Sequence, residues 1–232
     1  LVQAKRQAAG ARVGSGFLLL GTPQSGYGSR LALVDMARRT LDLQYYAIHA
    51  DASSSRLLGA VRGAARRGVR VRILLDDMDA RGKNKGLAAL DAHDKVEVRL
   101  FNPFATRSGK VAMAGELVGG GMKRLNRRMH NKSWSADNRI ALVGGRNLGD
   151  EYFDAHDGIN FVDLDLLMAG PVVTQVSSNF DRFWNSPSNY PIAQLAPEAT
   201  TDAALAQLRG VLDQAAIDLR SSPYAQILRD DV

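Results

Sequence analysis

Strand-like and helix-like spacings of apolar residues alternate along the first hundred residues of the chain. An apolar stripe from Leu31 to Leu41 predicts a helix that opens at Ser29, whose side chain is a suitable N-cap. Gly68 stands where a second helix should end. The further elements predicted here are strand 41–48, helix 53–67, strand 69–75, a polar loop over 76–83, helix 85–92 and strand 96–101. This alternation predicts an α/β fold, with a mainly parallel or mixed sheet flanked by helices on both faces.

The pattern changes after residue 101. Residues 105–121 are rich in glycine and lack a steady period, which predicts an excursion over the surface with a short helix at 110–117. Two short strands are predicted on either side of Asp137-Asn138, a pair suited to a tight hairpin turn. The predicted elements after the excursion are strands 129–136 and 139–143, a helical turn at 148–153, strand 161–168, helix 172–184, a linker over 186–197 and a helix over 202–219.

The composition narrows the range of functions. With 232 residues, 45% of them hydrophobic and 23% charged, the chain is typical of a globular protein. No apolar run reaches the roughly 18 residues that predict a membrane-spanning helix. The absence of cysteine excludes disulfide scaffolds, thiolate metal sites and cysteine nucleophiles. Because the chain begins at Leu1 rather than at a methionine and ends at Val232 without a closing feature, we expect it to be part of a longer protein.

The charge balance favours anionic partners. Thirty lysines and arginines against 24 acidic residues give a net charge of +6 and a pI near 9.8. A basic surface suits nucleic acid, phospholipid headgroups or phosphorylated substrates. Part of the excess is clustered within residues 123–128, directly before a histidine, where it either faces a substrate or forms a solvated surface. A second basic group within residues 66–72 is typical of a solvated helix end that runs into a strand.

Side chains capable of chemistry gather around residue 130. On a strand, His130 and Lys132 point to the same side, about 7 Å apart. The Gly144-Gly145 pair lets the next strand end in a loop that directs Asn147 toward the same side. This set suits a phosphodiester, because the imidazole attacks phosphorus or protonates a leaving oxygen while the ammonium and carboxamide hold the non-bridging oxygens. No metal is required for such chemistry.

These residues form a spaced signature that resembles a known family. His130, Lys132, Asp137 and Gly144 match the pattern H-x-K-x(4)-D-x(6)-G of the phospholipase D superfamily, and Asn147 follows where the family has an asparagine. The chain is similar to the bacterial cardiolipin synthases of the C type over about residues 16–190. The segments that carry this similarity are Leu41-Asp42-Leu43-Gln44-Tyr45-Tyr46, Gly68-Val69-Arg70-Val71-Arg72, Arg99-Leu100-Phe101-Asn102-Pro103-Phe104 and Gly144-Gly145-Arg146-Asn147-Leu148-Gly149-Asp150-Glu151-Tyr152-Phe153.

The resemblance implies a phospholipase D-like α/β/α sandwich and a two-step phosphatidyl transfer without a cofactor. A motif histidine, here His130, forms a phosphatidyl-histidine intermediate, and a hydroxyl of a second phosphatidylglycerol then attacks to give cardiolipin. The resemblance further assigns phosphate binding to Lys132, Asn147 and Gly145.

An acidic residue is also needed to fix the tautomer of a nucleophilic histidine. The resemblance places this residue on the strand after the motif, where Asp163 is the first candidate, Asp165 the second and Glu151 a weaker third. Asp137 belongs to the catalytic signature, but a turn aspartate also serves purely structural roles, and the residues alone leave both roles open.

The chain carries a single copy of the motif, whereas members of the superfamily usually carry two. His93-Asp94-Lys95 repeats the H-x-K spacing, but Leu100 and Arg107 occupy the aspartate and glycine positions. We therefore expect the second half of the site to come from missing C-terminal sequence or from another subunit. The corresponding domain prediction is an irregular leader over 1–16, the first half of the catalytic domain over 17–190, and over 191–232 a linker and C-terminal helix that lead toward the missing half.

The expected partners are a phospholipid substrate and the membrane surface. Phosphatidylglycerol is the first candidate for this substrate and phosphatidylethanolamine the second. The resemblance implies a peripheral location on the cytoplasmic side of a bacterial inner membrane. Nucleic acid is not an expected partner, but two alternatives remain open. One is hydrolysis of phosphodiesters, by a lipase or by a single-motif dimeric nuclease, which the high pI also suits. The other is a non-catalytic module that binds anionic lipid.

Overall fold

The computed structural model describes residues 14–80, 83–104 and 126–196, with further single helical positions at 203, 206, 210 and 214. The strands are β1 (Gly16–Leu20), β2 (Thr40–Tyr45), β3 (Arg70–Asp76), β4 (Val96–Phe101), β5 (Ser133–Ala136), β6 (Ile140–Gly144), β7 (Asp165–Ala169) and β8 (Asn189–Pro191). The helices are α1 (Pro23–Met36), α2 (Ala52–Arg66), α3 (Asp77–Ala80), α4 (Asn84–Asp91), α5 (Val172–Trp184) and α6 (Ile192–Leu195), with a 3₁₀ turn at Asp150–Tyr152.

Some of the predicted elements cannot be compared with the structure. Residues 1–13 of the leader, the excursion over 105–121 with its helix at 110–117, and all but four positions of the helix over 202–219 lie outside the described residues. None of the helices in the described ranges is long and apolar enough to span a bilayer.

The described strands form one mixed sheet in the order β1-β7-β6-β5-β2-β3-β4-β8. Only the pairs β2–β3 and β3–β4 are parallel, and the other neighbours are antiparallel. The parallel part follows from the chain pattern, because α2 joins β2 to β3 and helices also separate β3 from β4. The sheet is therefore mixed rather than mainly parallel.

Helices cover both faces of the sheet, which confirms the predicted α/β class. Helices α1, α2 and α4 bury one face, where Leu43, Ile73 and Leu142 are fully buried. Helix α5 covers the opposite face, where Val173 packs with Ala141 and Met168. Successive residues of a strand thus face different helical layers, as the twofold period of a strand requires.

Helix α1 begins earlier than the sequence pattern indicated. Thr22 is the N-cap, and its side chain and that of Ser25 form a reciprocal capping box at the first turn. Pro23 occupies the first helical position, where its fixed φ suits a helix and no N–H is needed. The prediction of Ser29 as the N-cap was wrong, because these start signals precede the apolar stripe by two turns.

Further boundaries and two edge strands also differ from the prediction. The predicted polar loop over 76–83 contains the short helix α3, and the predicted strand 161–168 begins only at Asp165. The predicted strand 41–48 ends at Tyr45, and the predicted strand 129–136 begins only at Ser133, so that His130 and Lys132 precede the strand instead of lying on it. Strands β1 and β8 were not predicted. Each is paired along one edge only, with β7 and β4 respectively, so that contacts far away in sequence specify them.

The predicted hairpin between β5 and β6 is confirmed. Asp137 and Asn138 both have positive φ, 53° and 52°, and the N–H of Arg139 donates to the carbonyl of Ala136 at 3.0 Å. Aspartate and asparagine tolerate this left-handed backbone better than most residues. The Asp137 carboxylate in turn holds the hairpin in place.

The Asp137 carboxylate ties the hairpin turn to the start of β2. It accepts hydrogen bonds from the backbone N–H groups of Arg38 at 2.9 Å, Arg39 at 2.7 Å and Thr40 at 2.9 Å. Burial alone would raise the pKa of Asp137, but these three donors outweigh burial and lower the pKa below its ordinary value. The carboxylate is thus a structural anchor in its charged form.

We predict that Asp137→Asn destabilises the fold in a pH-dependent way. A lowered folded-state pKa contributes stability above the unfolded pKa of about 3.9, and this contribution is lost as the pH falls through the folded value. At pH 7, urea unfolding should show a loss of about 1–2 kcal/mol, and the difference from the wild type should narrow below about pH 4. Asp154→Asn is the control, because Asp154 is exposed with a similar φ of 60°. A loss independent of pH would contradict the anchoring role.

Candidate active site

The ends of four strands bring the predicted site residues to one edge of the sheet. Strands β5 and β7 run antiparallel to β2 and β6, so the chain leaves β2 and β6 at the edge where it enters β5 and β7. The segments 130–132, 144–147 and 163–165 therefore meet there. Asp137 follows the far end of β5 and lies at the opposite edge.

His130 and Lys132 lie in contact at this edge. His130 is exposed on the extended segment before β5, whereas Lys132 is only 6% exposed. The Lys132 Nζ lies 3.0 Å from Nδ1 and 3.3 Å from Nε2 of the imidazole, and it donates to the His130 carbonyl at 3.0 Å. An accessible imidazole thus stands directly beside a desolvated ammonium.

Burial and a carboxylate act on Lys132 in opposite directions. Burial disfavours the charged form and lowers the pKa of Lys132, and the negative charge of Asp163 raises the pKa in part. The net result is a pKa below that of a solvated lysine. A buried ammonium in this state gains from any anion that enters the site.

Tyr46 is the aromatic residue that contacts His130. Its ring centroid lies 4.7 Å from that of the His130 imidazole and 5.6 Å from the Lys132 Nζ. Tyr45 points into the core, where its hydroxyl accepts from Arg30 Nε at 2.9 Å. The two tyrosines thus point in different directions, and core packing accounts for Tyr45 but not for Tyr46.

Asn147 is held on both sides of its carboxamide. Its Oδ1 accepts from the Ala47 N–H at 3.2 Å, and its Nδ2 donates to the Tyr152 hydroxyl at 2.9 Å. The side chain is only 5% exposed. As far as the described residues go, one Nδ2 hydrogen remains for a further acceptor, since a carboxamide carries two donor hydrogens.

Gly145 makes room for Asp163. A Cβ at residue 145 would lie 2.0 Å from the Asp163 Oδ1, so any larger residue would displace this carboxylate. The Gly145 N–H donates to the Leu164 carbonyl at 3.1 Å, and the Asp163 Oδ1 accepts from the Leu164 N–H at 2.8 Å. These contacts place Asp163 against the glycine loop, from which its charge acts on Lys132.

The other two acidic candidates have partners of their own. Asp165 is fully buried, and its Oδ2 accepts from Arg30 at 2.7 Å and from Arg146 at 3.0 Å. Burial alone would lower the pKa of Arg30, but Tyr45 and Asp165 outweigh burial and raise it. Glu151 pairs with the His49 Nδ1 at 2.8 Å.

Asp76 is a functional neighbour that the sequence analysis missed. This fully buried carboxylate accepts from the Met129 N–H at 2.8 Å and from Arg128 at 3.0 Å, and so positions the segment that leads into His130. The guanidinium of Arg128 also lies 5.0 Å from the Phe104 ring. Of the basic cluster before the histidine, Arg128 is therefore a structural residue and Arg127 is exposed, while Lys123 and Arg124 lie outside the described residues.

One group of side chains in the described ranges has a metal-binding composition. His49, Asp51 and Glu151 offer ligand atoms that all lie within 4.8 Å of one another. Asp51, however, caps α2 by accepting from the Ser54 N–H at 3.0 Å and also accepts from the Asp150 N–H at 2.9 Å. Structural hydrogen bonds and the His49–Glu151 pair account for this group.

Comparison with known proteins extends the match beyond the signature. Residues 31–184 match the family described as "Cardiolipin synthase, PLD-like domain". Cardiolipin synthase C of Escherichia coli (strain K12) is 46% identical over 169 residues, which make up 73% of this chain and 35% of that protein. The chain thus spans about a third of the length of this curated relative.

Solved structures share the fold at low sequence identity. A phosphatidylserine synthase from Haemophilus influenzae Rd KW20 superposes with a TM-score of 0.57 at 11% identity, covering 89% of this chain and 44% of that chain. The phospholipase D family member Nuc from Salmonella typhimurium superposes with a TM-score of 0.53 at 15% identity. The superposition covers 77% of this chain and 98% of that chain. With two thirds of its length matched by the family and its strands arranged in the same fold, this chain belongs to the phospholipase D superfamily and contains the PLD-like domain of the cardiolipin synthases.

Proposed function

We propose that this chain transfers a phosphatidyl group through a phosphohistidine at His130 and, together with a second half-site, makes cardiolipin from phosphatidylglycerol. The observation that carries the proposal is the contact between an exposed imidazole and a buried ammonium 3.0 Å away. A phosphodiester that approaches His130 brings its charged oxygens to Lys132, whose side chain is largely buried. The similarity to a cardiolipin synthase favours a phospholipid as this diester.

In the first step, an unprotonated ring nitrogen of His130 attacks the phosphorus of phosphatidylglycerol. An N–P bond forms while the P–O bond to the headgroup glycerol breaks, and the leaving oxygen takes a proton from an acid of the second half-site. In the second step, a hydroxyl of another phosphatidylglycerol attacks the phosphorus and releases His130. The hydroxyl proton returns to the same group, which now acts as a base.

The remaining site residues bind and orient in this scheme. Lys132 neutralises the non-bridging oxygens, and the free Nδ2 hydrogen of Asn147 adds a neutral donor. Asp163 maintains the charge state of Lys132 from its place against Gly145, and it stays our candidate for fixing the tautomer of His130. Asp137 acts at a distance, by holding the β5–β6 hairpin to β2.

Exposed apolar residues beside the site support a second half. Val162 is fully exposed, and the other apolar residues of the segment around Asp163, Ile159, Phe161 and Leu164, are also exposed. Phe17 and Leu19 on the neighbouring edge strand β1 are also exposed. Such a patch is typical of an interaction surface. Because the relative is nearly three times as long as the matched region, we propose that a second motif, from further sequence or another copy of the chain, packs here.

This proposal includes the membrane surface. The net charge of +6 suits a surface rich in anionic headgroups, so we propose peripheral binding on the cytoplasmic side of a bacterial inner membrane. Phosphatidylethanolamine is a second phosphatidyl donor in this scheme, since the transferred group is the same and only the released alcohol differs.

A nuclease is the second candidate function. The chain of Nuc is covered over 98% of its length, which shows that a family member can consist of one such domain, and the basic charge suits nucleic acid. The products distinguish the two. Formation of cardiolipin from phosphatidylglycerol, alone or with phosphatidylethanolamine, would support the transferase. Formation of phosphatidic acid would support a lipase, and nicking of plasmid DNA without added metal would support the nuclease.

We predict that His130→Ala abolishes product formation from phosphatidylglycerol vesicles, by at least about 1000-fold, because the proposed covalent intermediate forms on His130. His93→Ala is a matched control, since His93 stands in the same H-x-K spacing and should leave the rate unchanged. Chromatography of labelled lipid measures both rates. Activity that survives in His130→Ala, or is lost equally in His93→Ala, would contradict the assignment.

We predict that Asp163→Asn moves the alkaline limb of the rate–pH profile to lower pH. The rate depends on protonated Lys132, whose pKa burial lowers below the ordinary value of about 10.4 and Asp163 partly raises. Removal of this carboxylate therefore lets Lys132 lose its proton at a lower pH. Asp157→Asn, an exposed position in the same loop, should leave the limb in place. If the alkaline limb of the rate–pH profile stays in place in Asp163→Asn, the proposed electrostatic coupling between Asp163 and Lys132 is refuted.

A further inference from the structure

An apolar cavity of about 160 Å³ opens beside the candidate active site, between α2, α4 and the end of β3. Tyr46 and His49 line it on the side of the site, and Asp79 and Lys83 lie at its rim. The larger aliphatic side chains that line the cavity are Ile48, Leu58, Leu75, Leu87 and Leu90. No step of the proposed transfer uses this space.

Tyr46 lies between the cavity and the phosphoryl site. This residue lines the cavity, and its ring centroid lies only 4.7 Å from that of the His130 imidazole. A ligand whose phosphorus reaches His130 and which carries an apolar branch can therefore extend that branch past Tyr46. Such a ligand is amphiphilic, with an anionic centre and a hydrocarbon arm.

The polar groups at the rim pair with one another. Asp79 accepts from the Ile48 N–H at 3.0 Å and pairs with Lys83, which also donates to the Ile48 carbonyl at 2.7 Å. Two further polar residues of the lining are also paired, His49 with Glu151 and the buried Asp76 with the Met129 N–H. A pocket whose lining is largely aliphatic and whose charged groups are paired favours a hydrocarbon guest.

We propose that this cavity binds the first methylenes of one acyl chain of the phosphatidyl substrate. The inference rests on the proposed function and deepens it, because it assigns a place to the hydrocarbon part of the lipid. An engineered apolar cavity of about 150 Å³ binds benzene, so a space of this size holds about six carbon atoms. The rest of the chain remains outside, in the membrane.

Gly86 allows the cavity to be filled without disturbing its walls. It lies on α4 and lines the cavity, and a Cβ built there meets no atom within 4 Å. Leucine is a better helix former than glycine, so Gly86→Leu should fold. Gly28 on α1 has the same open surroundings away from the cavity, which makes Gly28→Leu the matched control.

The test compares two probes that share a phosphodiester headgroup, dihexanoylphosphatidylglycerol below its micelle concentration and glycerophosphoglycerol, by titration calorimetry. Each buried methylene should tighten binding about four-fold, so the wild type should prefer the acylated probe at least about ten-fold. Gly86→Leu should lose this preference while its affinity for glycerophosphoglycerol is unchanged. Gly28→Leu should behave as the wild type.

Each other outcome overturns the inference. An equal affinity of the wild type for both probes would show that no acyl chain is bound, and an undiminished preference in Gly86→Leu would place the chain elsewhere. Weaker binding of thymidylyl-thymidine in Gly86→Leu would identify a nucleobase pocket. These results are separate from the proposed function, since acyl preference without cardiolipin formation refutes the transferase alone, and cardiolipin formation with an unchanged preference refutes the cavity alone.

Discussion

The geometry of the site depends on one buried ion network. The Asp165 carboxylate at the start of β7 lies between the guanidinium groups of Arg30 on α1 and Arg146 on the loop after β6. Buried charges of this kind are tolerated only when they are paired closely, so the three elements are fixed relative to one another. The same network requires a glycine at position 144, because a Cβ there would lie 1.9 Å from the Asp165 Oδ1. Since Arg146 directly precedes Asn147, the network also orients the asparagine of the signature.

Elements with local signals could be predicted from the sequence, and elements specified by distant partners could not. Gly68, with a φ of 94°, follows the end of α2 near its predicted position, and helix α5 has its predicted bounds of 172–184. Strand β1 is a short apolar run without the alternation of a half-buried strand, and it is specified by its pairing with β7. The segment 161–164 is apolar enough to predict a strand, but it stays outside the sheet and exposed, where we propose that a second half covers it.

The candidate site was predictable where the chemistry is local. The spacing of His130 and Lys132 placed the two together, and they are in contact. Asp137 is separated from Lys132 by the length of β5, about 16 Å of extended chain, so strand geometry alone could have placed it at the other edge. Asp76 could not be identified, because its partners Met129 and Arg128 follow it by more than 50 residues.

An amphiphilic substrate would contact all three features described above, the exposed imidazole, the buried ammonium and the apolar cavity. The central claim is that the phosphorus of this substrate becomes covalently bound to His130. The most direct measurement is mass spectrometry of peptides after brief incubation with phosphatidylglycerol and an alkaline quench, which preserves a phosphorus–nitrogen bond. The account predicts a lipid-derived phosphoryl group on the peptide that contains His130, and none in His130→Asn. Turnover with an unmodified His130 peptide, or a phosphoryl group on another residue, would contradict it.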